Sequence, residues 1–137
     1  MPKVANKNQN YENVQTCLNK KCGVGGHGHS MCNKLLRSLF EYGPDAMFIG
    51  RMDGKIVDCN EMAEKMLGYT KEELLKMNAS AFAPENNKRE IWNDLIKKLS
   101  VHKTTILEGH NIRKDKTIFA VEARFRLIKY DSETLIF

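Results

Sequence analysis

The sequence predicts an α+β fold, in which helices pack on one face of an antiparallel sheet of five strands. Two short β-prone runs precede the helical segments and three follow them, so strands and helices are segregated along the chain. From Phe119 to Ile128, an apolar residue stands at every second position, which is the period of a strand with one buried face. The helices would cover that face.

Length and composition favour one soluble domain with an N-terminal extension. The chain has 137 residues, of which 42% are hydrophobic and 28% charged, the balance of a globular protein. No window approaches the ~18 consecutive apolar residues of a membrane span, and the N-terminus lacks the apolar core of a secretory signal. A cytoplasmic location is therefore expected. The net charge of +5 comes from dispersed Lys and Arg, which gives little support to nucleic-acid binding.

The chain divides into three predicted regions. Residues 1–16 are polar and rich in Asn, Lys and Gln, which predicts a flexible N-terminus. Residues 17–32 contain four glycines and no apolar period, which predicts a loop rich in Cys and His. Residues 33–137 carry the patterns of a folded domain, which begins with a short amphipathic helix that Gly43-Pro44 ends.

Turn and cap signals place the first elements of this domain. Asp53-Gly54 separates two β-prone runs, which predicts a hairpin turn with a left-handed residue. Asn60 is placed to cap a helix over residues 61–67, because its side-chain oxygen can accept a free amide of the first turn. Gly68 ends that helix.

Further signals continue to the C-terminus. Thr70 and Glu73 have the spacing of a capping box for a second short helix. Apolar residues recur at helical spacing over residues 87–99, which predicts a longer helix. Strands are predicted at about 103–112, 117–128 and 134–137.

The order and spacing of these signals resemble the PAS family over most of the chain. The matching pieces are Gly43-Pro44-Asp45-Ala46, Asp53-Gly54-Lys55-Ile56-Val57, Asn60 with Ala63, Met66-Leu67-Gly68-Tyr69-Thr70, Glu72-Glu73-Leu74 and Arg113-Lys114-Asp115. The resemblance implies a sheet in the spatial order 2-1-5-4-3, with helices enclosing a small cavity against it. It also implies a sensory module that detects a ligand or a redox state, dimerises through its N-terminal helix and relays the signal to an effector domain.

Two departures from the family pattern stand out. Lys116 occupies a turn position at which PAS domains usually have glycine, so a different turn is expected there. The chain also stops at Phe137, inside the last predicted strand, which indicates a piece of a longer signalling protein. The resemblance suggests a sensor histidine kinase, or a relative such as a cyclic-dinucleotide synthase, as the parent protein.

One interpretation of the large apolar side chains is that they line a ligand pocket. Its candidate lining is Met47, Met62, Met66, Trp92, Phe119 and Phe125. Ordinary core packing is the other reading. The sequence argues against flavin and haem, because residues 78–83 lack the reactive cysteine of the flavin photosensors and no histidine lies between His29 and His102.

The N-terminal quarter holds a cluster of metal-binding residue types. The candidate ligands are Cys17, Cys22, His27, His29 and Cys32. Zinc with four of these ligands, or an iron–sulfur cluster, would suit them. A thiol redox sensor and a structureless segment with coincidental thiols remain as alternatives. Because Cys32 precedes the leading helix, an ordered loop would provide a second input to the sensor.

Signal perception within a multidomain regulator is therefore the predicted function. No nucleophile–base arrangement, phosphate-binding glycine loop or carboxylate pair indicates a catalytic site in this chain. The alternative is a ligand-free module that only dimerises or binds partners.

Overall fold

The structure is a computed structural model that describes residues 28–84 and 86–137. Its helices are α1 (Gly28–Glu41), α2 (Glu61–Leu67), α3 (Lys71–Leu74), a 3₁₀ helix (Ala79–Phe82) and α4 (Lys88–His102). Its strands are β1 (Phe48–Arg51), β2 (Ile56–Cys59), β3 (Thr104–Ile112), β4 (Ile118–Tyr130) and β5 (Glu133–Ile136). The predicted α+β order, with two strands before the helices of the sheet domain and three after them, is confirmed.

The five strands form one antiparallel sheet in the order β2-β1-β5-β4-β3, as the resemblance implied. The pairing of β3 with β4 is the longest, and it runs without a register shift from Thr104 opposite Arg126 to Ile112 opposite Ile118. The pairing of β1 with β2 shifts register between Ile49 and Gly50. The long β3–β4 pair therefore provides the most regular surface of the sheet.

The chain divides after Phe40 into two compact units, and the second, Glu41–Phe137, contains the whole sheet. Most of α1 belongs to the first unit. Among the helices that the structure describes, none is both long enough and apolar enough to cross a lipid bilayer.

Helix α1 begins earlier than the sequence pattern predicted. A loop was expected up to Cys32 and a helix from Asn33, but the helix starts at Gly28 and includes His29. Met31 stands four residues before Leu35 and continues the helical period, a signal that the glycines around it obscure. The expected flexible region and the three other candidate metal ligands lie outside the described residues: 1–16, Cys17, Cys22 and His27.

Side-chain caps define the short helices. The Asn60 side chain accepts from the Ala63 amide at the start of α2, and Gly68 ends this helix in the left-handed conformation, with a φ of 78°. The predicted capping box of α3 is confirmed, because the side chain and backbone of Thr70 exchange hydrogen bonds with Glu73. The 3₁₀ helix that follows was not predicted.

A different turn was expected between β3 and β4, where Lys116 stands in place of the usual glycine, but Lys116 keeps a left-handed conformation. The Lys116 amide donates to the Arg113 carbonyl at 2.9 Å, and Lys116 has a φ of 73°. This left-handed conformation strains any residue with a Cβ atom and favours glycine. The chain therefore keeps the left-handed turn with a lysine where glycine is usual.

We expect Lys116→Gly to stabilise the domain by about 0.5–1 kcal/mol, because relief of the left-handed strain exceeds the added entropy of the unfolded chain. Urea denaturation would measure the change. Lys129→Gly, at an exposed strand position, is the matched control and should destabilise the domain. Equal destabilisation by both changes would contradict the strain at Lys116.

The apolar core of the sheet domain forms two clusters. The first contains the buried residues Ile56, Cys59, Ala63, Leu67, Leu74 and Phe82. The second contains Leu95, Leu99 and Ile136. Strand β4 contributes to both, since Phe119 packs on the first cluster and Phe125 on the second. The part of β4 between these two rings belongs to neither cluster.

Candidate functional site

The inner face of the β3–β4 pair carries an incompletely filled space between the two core clusters. Two neighbouring cross-strand pairs lie there, Leu107 opposite Ala123 and Gly109 opposite Val121. All four residues are only half-buried, although they lie on the face that the helices cover. We call the space over these four residues the central cleft.

Small residues keep the central cleft open. Each of its two cross-strand pairs combines one larger residue with Gly109 or Ala123, so the side chains leave part of the surface bare. A Cβ atom added at Gly109 would meet no other atom within 4 Å. A methyl group can therefore be added at this position without displacing another atom.

The lining of the central cleft is apolar. The inward row of β4 from Phe119 to Leu127 holds only apolar residues, and the inward row of β3 adds polar groups only near its ends, at Thr105 and Asn111. His110 lies on the exposed row of β3. No ionisable group on these two rows faces the cleft, so it suits a small apolar molecule better than a charged one.

The six residues that the sequence proposed as a pocket lining lie in different parts of the structure. Met66 and Phe119 pack on the first core cluster, and Trp92 and Phe125 on the second. Met47 and Met62 are half-buried and lie outside both clusters; the two aromatic residues of β4 flank the central cleft. Sequence reasoning missed the cleft residues themselves. The usable signal was the small residue that interrupts each apolar row, Gly109 in β3 and Ala123 in β4.

One end of the β3–β4 pair is fixed to the helices by Arg113. Its Nε donates to the Met66 carbonyl at 2.9 Å, and its Nη1 donates to Thr117 Oγ1 at 3.2 Å. Its guanidinium carbon lies 4.0 Å from the centroid of the Phe119 ring, a cation–π distance. The ring that flanks the central cleft is thus held by the same side chain that contacts α2.

A second contact joins the same turn to α3. The Lys114 ammonium lies 2.6 and 2.8 Å from the two carboxylate oxygens of Glu73, and 5.6 Å from the centroid of the Tyr69 ring. The hydrogen bond from Lys114 holds the pKa of the Glu73 carboxyl below its usual value. A movement of the β3–β4 hairpin would therefore be transmitted to α3.

Cys59 is the free cysteine of the sheet domain, and it lies in the first core cluster with no exposed surface. Burial raises the pKa of its thiol to about 11, despite the nearby Lys71 ammonium. That ammonium is 2.8 Å from Asp58 and 3.5 Å from Glu41. A protonated, buried thiol is a poor nucleophile, so Cys59 is unsuited to redox sensing.

Similar proteins are known by sequence and by structure. The methyl sulfide methyltransferase-associated sensor of Methanosarcina acetivorans is 30% identical over 105 residues, which cover 74% of this chain and 10% of that protein. The PAS domain of an HTR-like protein from Haloarcula marismortui has a TM-score of 0.71 at 23% identity, covering 79% of this chain and 88% of that one. A domain of a sensory box sensor histidine kinase/response regulator from Geobacter sulfurreducens has a TM-score of 0.68 at 20% identity, covering 82% of this chain and 96% of that one.

The family assignment follows from sequence and fold together. A family model described as PAS domain matches residues 44–137, which is more than half of the chain. The strand order and the position of the helices agree with that match. The chain spans about a tenth of the length of its curated relative. Its residues 44–137 therefore form a sensory domain, and the chain belongs to the PAS domain family.

Proposed function

We propose that this PAS domain senses a small apolar molecule in the central cleft and relays its presence to an effector domain of the same polypeptide. The observation that carries the proposal is the open space beside Gly109, on an apolar face between two packed clusters. Covering an exposed apolar surface with an apolar ligand is favourable, by about 25 cal/mol for each Å² removed from water. The ligand would thus complete the core.

The relay would start at the β3–β4 pair. A ligand over Gly109 would press on the flanking Phe119 ring, and Arg113 links that ring to the Met66 carbonyl in α2. A change in the spacing of sheet and helices would then alter β5, which pairs with β4. The kinase context is supported by the name of the similar domain from Geobacter sulfurreducens and remains part of the proposal.

Two further parts of the proposal concern the N-terminal unit. The leading helix α1 exposes Leu36 and Leu39, which supports dimerisation through this helix.

The cluster at Cys17, Cys22, His27, His29 and Cys32 would bind zinc or an iron–sulfur cluster as a second input. Metal analysis after purification without chelators would test that input, and less than half an equivalent per chain would contradict it.

We expect Gly109→Phe to fill the central cleft and abolish binding of a small apolar probe, indole, while the domain stays folded. Phenylalanine suits a strand, and a Cβ atom added at this position meets no other atom within 4 Å. Two-dimensional amide NMR of the domain would record indole-dependent shifts in residues 107–109 and 121–123. Those shifts should appear in the unaltered protein and disappear in the variant.

Ala120→Phe is the matched control, because Ala120 lies on the exposed row of β4, the strand that pairs with the strand of Gly109. Indole should shift the cleft amides of this variant as it does those of the unaltered protein. If indole at millimolar concentration shifts no cleft residue, or shifts them equally in Gly109→Phe, the sensing proposal is wrong. The ligand-free interaction module would then be the better description.

A further inference from the structure

A second concavity lies on the surface of the sheet domain, between the β1–β2 turn and α4. It has a volume of about 460 Å³. Met52, Trp92 and Ile96 provide its apolar part, and Ser80, Lys88 and Arg89 provide polar groups. We call this concavity the Trp92 groove. None of its residues belongs to the central cleft.

The apolar floor of the Trp92 groove is held in place by a hydrogen bond and by core packing. The indole Nε1 of Trp92 donates to the Met52 carbonyl at 3.0 Å, which ties α4 to the β1–β2 turn. Met52 and Ile96 both pack on the second core cluster, as Trp92 does. A partner would therefore meet a preformed surface and would order few side chains on binding.

The rim of the groove carries two cations, Lys88 and Arg89. The Lys88 ammonium donates to the Ala81 carbonyl at 3.3 Å, which uses one of its three protons. Among residues 28–84 and 86–137, neither Lys88 nor Arg89 forms an ion pair. By contrast, Lys65, Lys98 and Lys114 each lie within 2.9 Å of a carboxylate oxygen.

One carboxylate, that of Asp53, also lines the groove. Its Oδ1 accepts from the Lys55 amide at 3.0 Å, which engages it in its own turn. The two cations outnumber it, and the lining keeps an excess of positive charge beside an apolar floor. A partner that combines carboxylates with apolar side chains complements both features.

The length of the groove favours an extended segment over a compact molecule. From Lys88 to Ile96 the axis of α4 advances about 12 Å. An extended chain covers that distance with roughly four residues. The groove is also partly open to solvent, whereas sites for small molecules enclose most of the ligand surface.

We propose that the Trp92 groove binds an extended peptide segment of a partner protein, in which acidic residues flank apolar ones. The apolar side chains would cover Met52, Trp92 and Ile96, and the flanking carboxylates would pair with Lys88 and Arg89. This docking surface is independent of the ligand in the central cleft. It gives the sensor a fixed contact point on α4.

Fluorescence of Trp92 tests the proposal directly, because it is the single tryptophan of the chain. The probe is the capped peptide acetyl-Glu-Leu-Leu-Glu-amide, and its matched control is acetyl-Gln-Leu-Leu-Gln-amide. The acidic peptide should shift the emission of Trp92 to shorter wavelength in a saturable way. It should bind at least fivefold more tightly than the neutral peptide at low ionic strength, and the difference should shrink with salt.

Lys88→Gln combined with Arg89→Gln should weaken the acidic peptide roughly tenfold and leave the neutral peptide unchanged. Lys97→Gln combined with Lys98→Gln removes the same charge from the same helix and should have little effect. Gly109→Phe should also leave peptide binding unchanged, which separates this proposal from the sensing proposal. Equal affinity for both peptides, or no loss in the Lys88 and Arg89 variant, would overturn it.

Discussion

Replacing Asn60 with leucine should lower the free energy of unfolding by about 3–5 kcal/mol, because two backbone amides and one carbonyl lose a side-chain partner. The Asn60 side chain is fully buried. Its Oδ1 accepts from the amides of Met47 and Ala63 at 2.9 and 3.1 Å, and its Nδ2 donates to the Asp45 carbonyl at 2.8 Å. One side chain thus joins the segment before β1 to the start of α2. Urea denaturation at neutral pH measures the loss.

A further variant separates the helix-capping role of Asn60 from its hydrogen bonds to the segment before β1. Asn60→Ser retains an oxygen that can cap the helix, so it should recover about 1 kcal/mol relative to Asn60→Leu. The bonds to Met47 and Asp45 would stay lost, since the serine side chain is shorter. Asn93→Leu, at an exposed position of α4, is the control for the substitution itself. A cost below about 1 kcal/mol at Asn60 would contradict this role.

The elements that the sequence predicted well are those that depend on neighbouring residues. Asn60 and Gly68 bound α2 because a cap needs only an acceptor side chain at one end and a left-handed residue at the other. The Thr70 and Glu73 box is equally local. The alternation in β4 predicted its inward row because successive side chains of a strand point to opposite faces.

The candidate site could not be predicted in the same way, because it depends on pairing between distant residues. Nothing local to Gly109 shows that Val121 lies opposite it, or that Ala123 is the next inward residue of β4. The division of the core into two clusters depends likewise on where α4 crosses the sheet. The sequence therefore indicated six large apolar residues as the pocket lining. In the structure, the small residues Gly109 and Ala123 mark the central cleft.

The Trp92 groove shows the same limit. Its floor is held by a hydrogen bond between Trp92 and Met52, which are 40 positions apart in sequence. The periodicity of α4 identified Trp92 as an apolar residue of a helix but carried no information about its partner. The sequence also could not show that Lys88 and Arg89 form no ion pair within residues 28–84 and 86–137, because this depends on where the surrounding carboxylates lie.

Gly54→Ala should destabilise the domain by about 2–4 kcal/mol, through backbone strain and a steric conflict together. Gly54 is buried and has a φ of 89°, a conformation that residues with a Cβ atom rarely adopt. An added Cβ would lie 2.5 Å from Asn78 Oδ1 and 2.9 Å from Asn78 Nδ2. The Asn78 side chain would have to move, and its bonds to the Asp53 carbonyl and the Ser80 amide would break. Thermal unfolding and urea denaturation both measure the effect.

A double-mutant cycle apportions this loss between the two causes. Asn78→Ala alone removes the three side-chain bonds of Asn78, which join it to the Asp53 carbonyl and to the amide and hydroxyl of Ser80. The Gly54→Ala, Asn78→Ala double variant removes the steric conflict but keeps the strain. If the conflict matters, the double variant should lose less than the sum of the single losses. Gly109→Ala is the control for adding a methyl group to a glycine, since its space is open and its φ is not positive. A loss at Gly109 as large as that at Gly54 would mean that the β1–β2 turn does not dock against Asn78 as described.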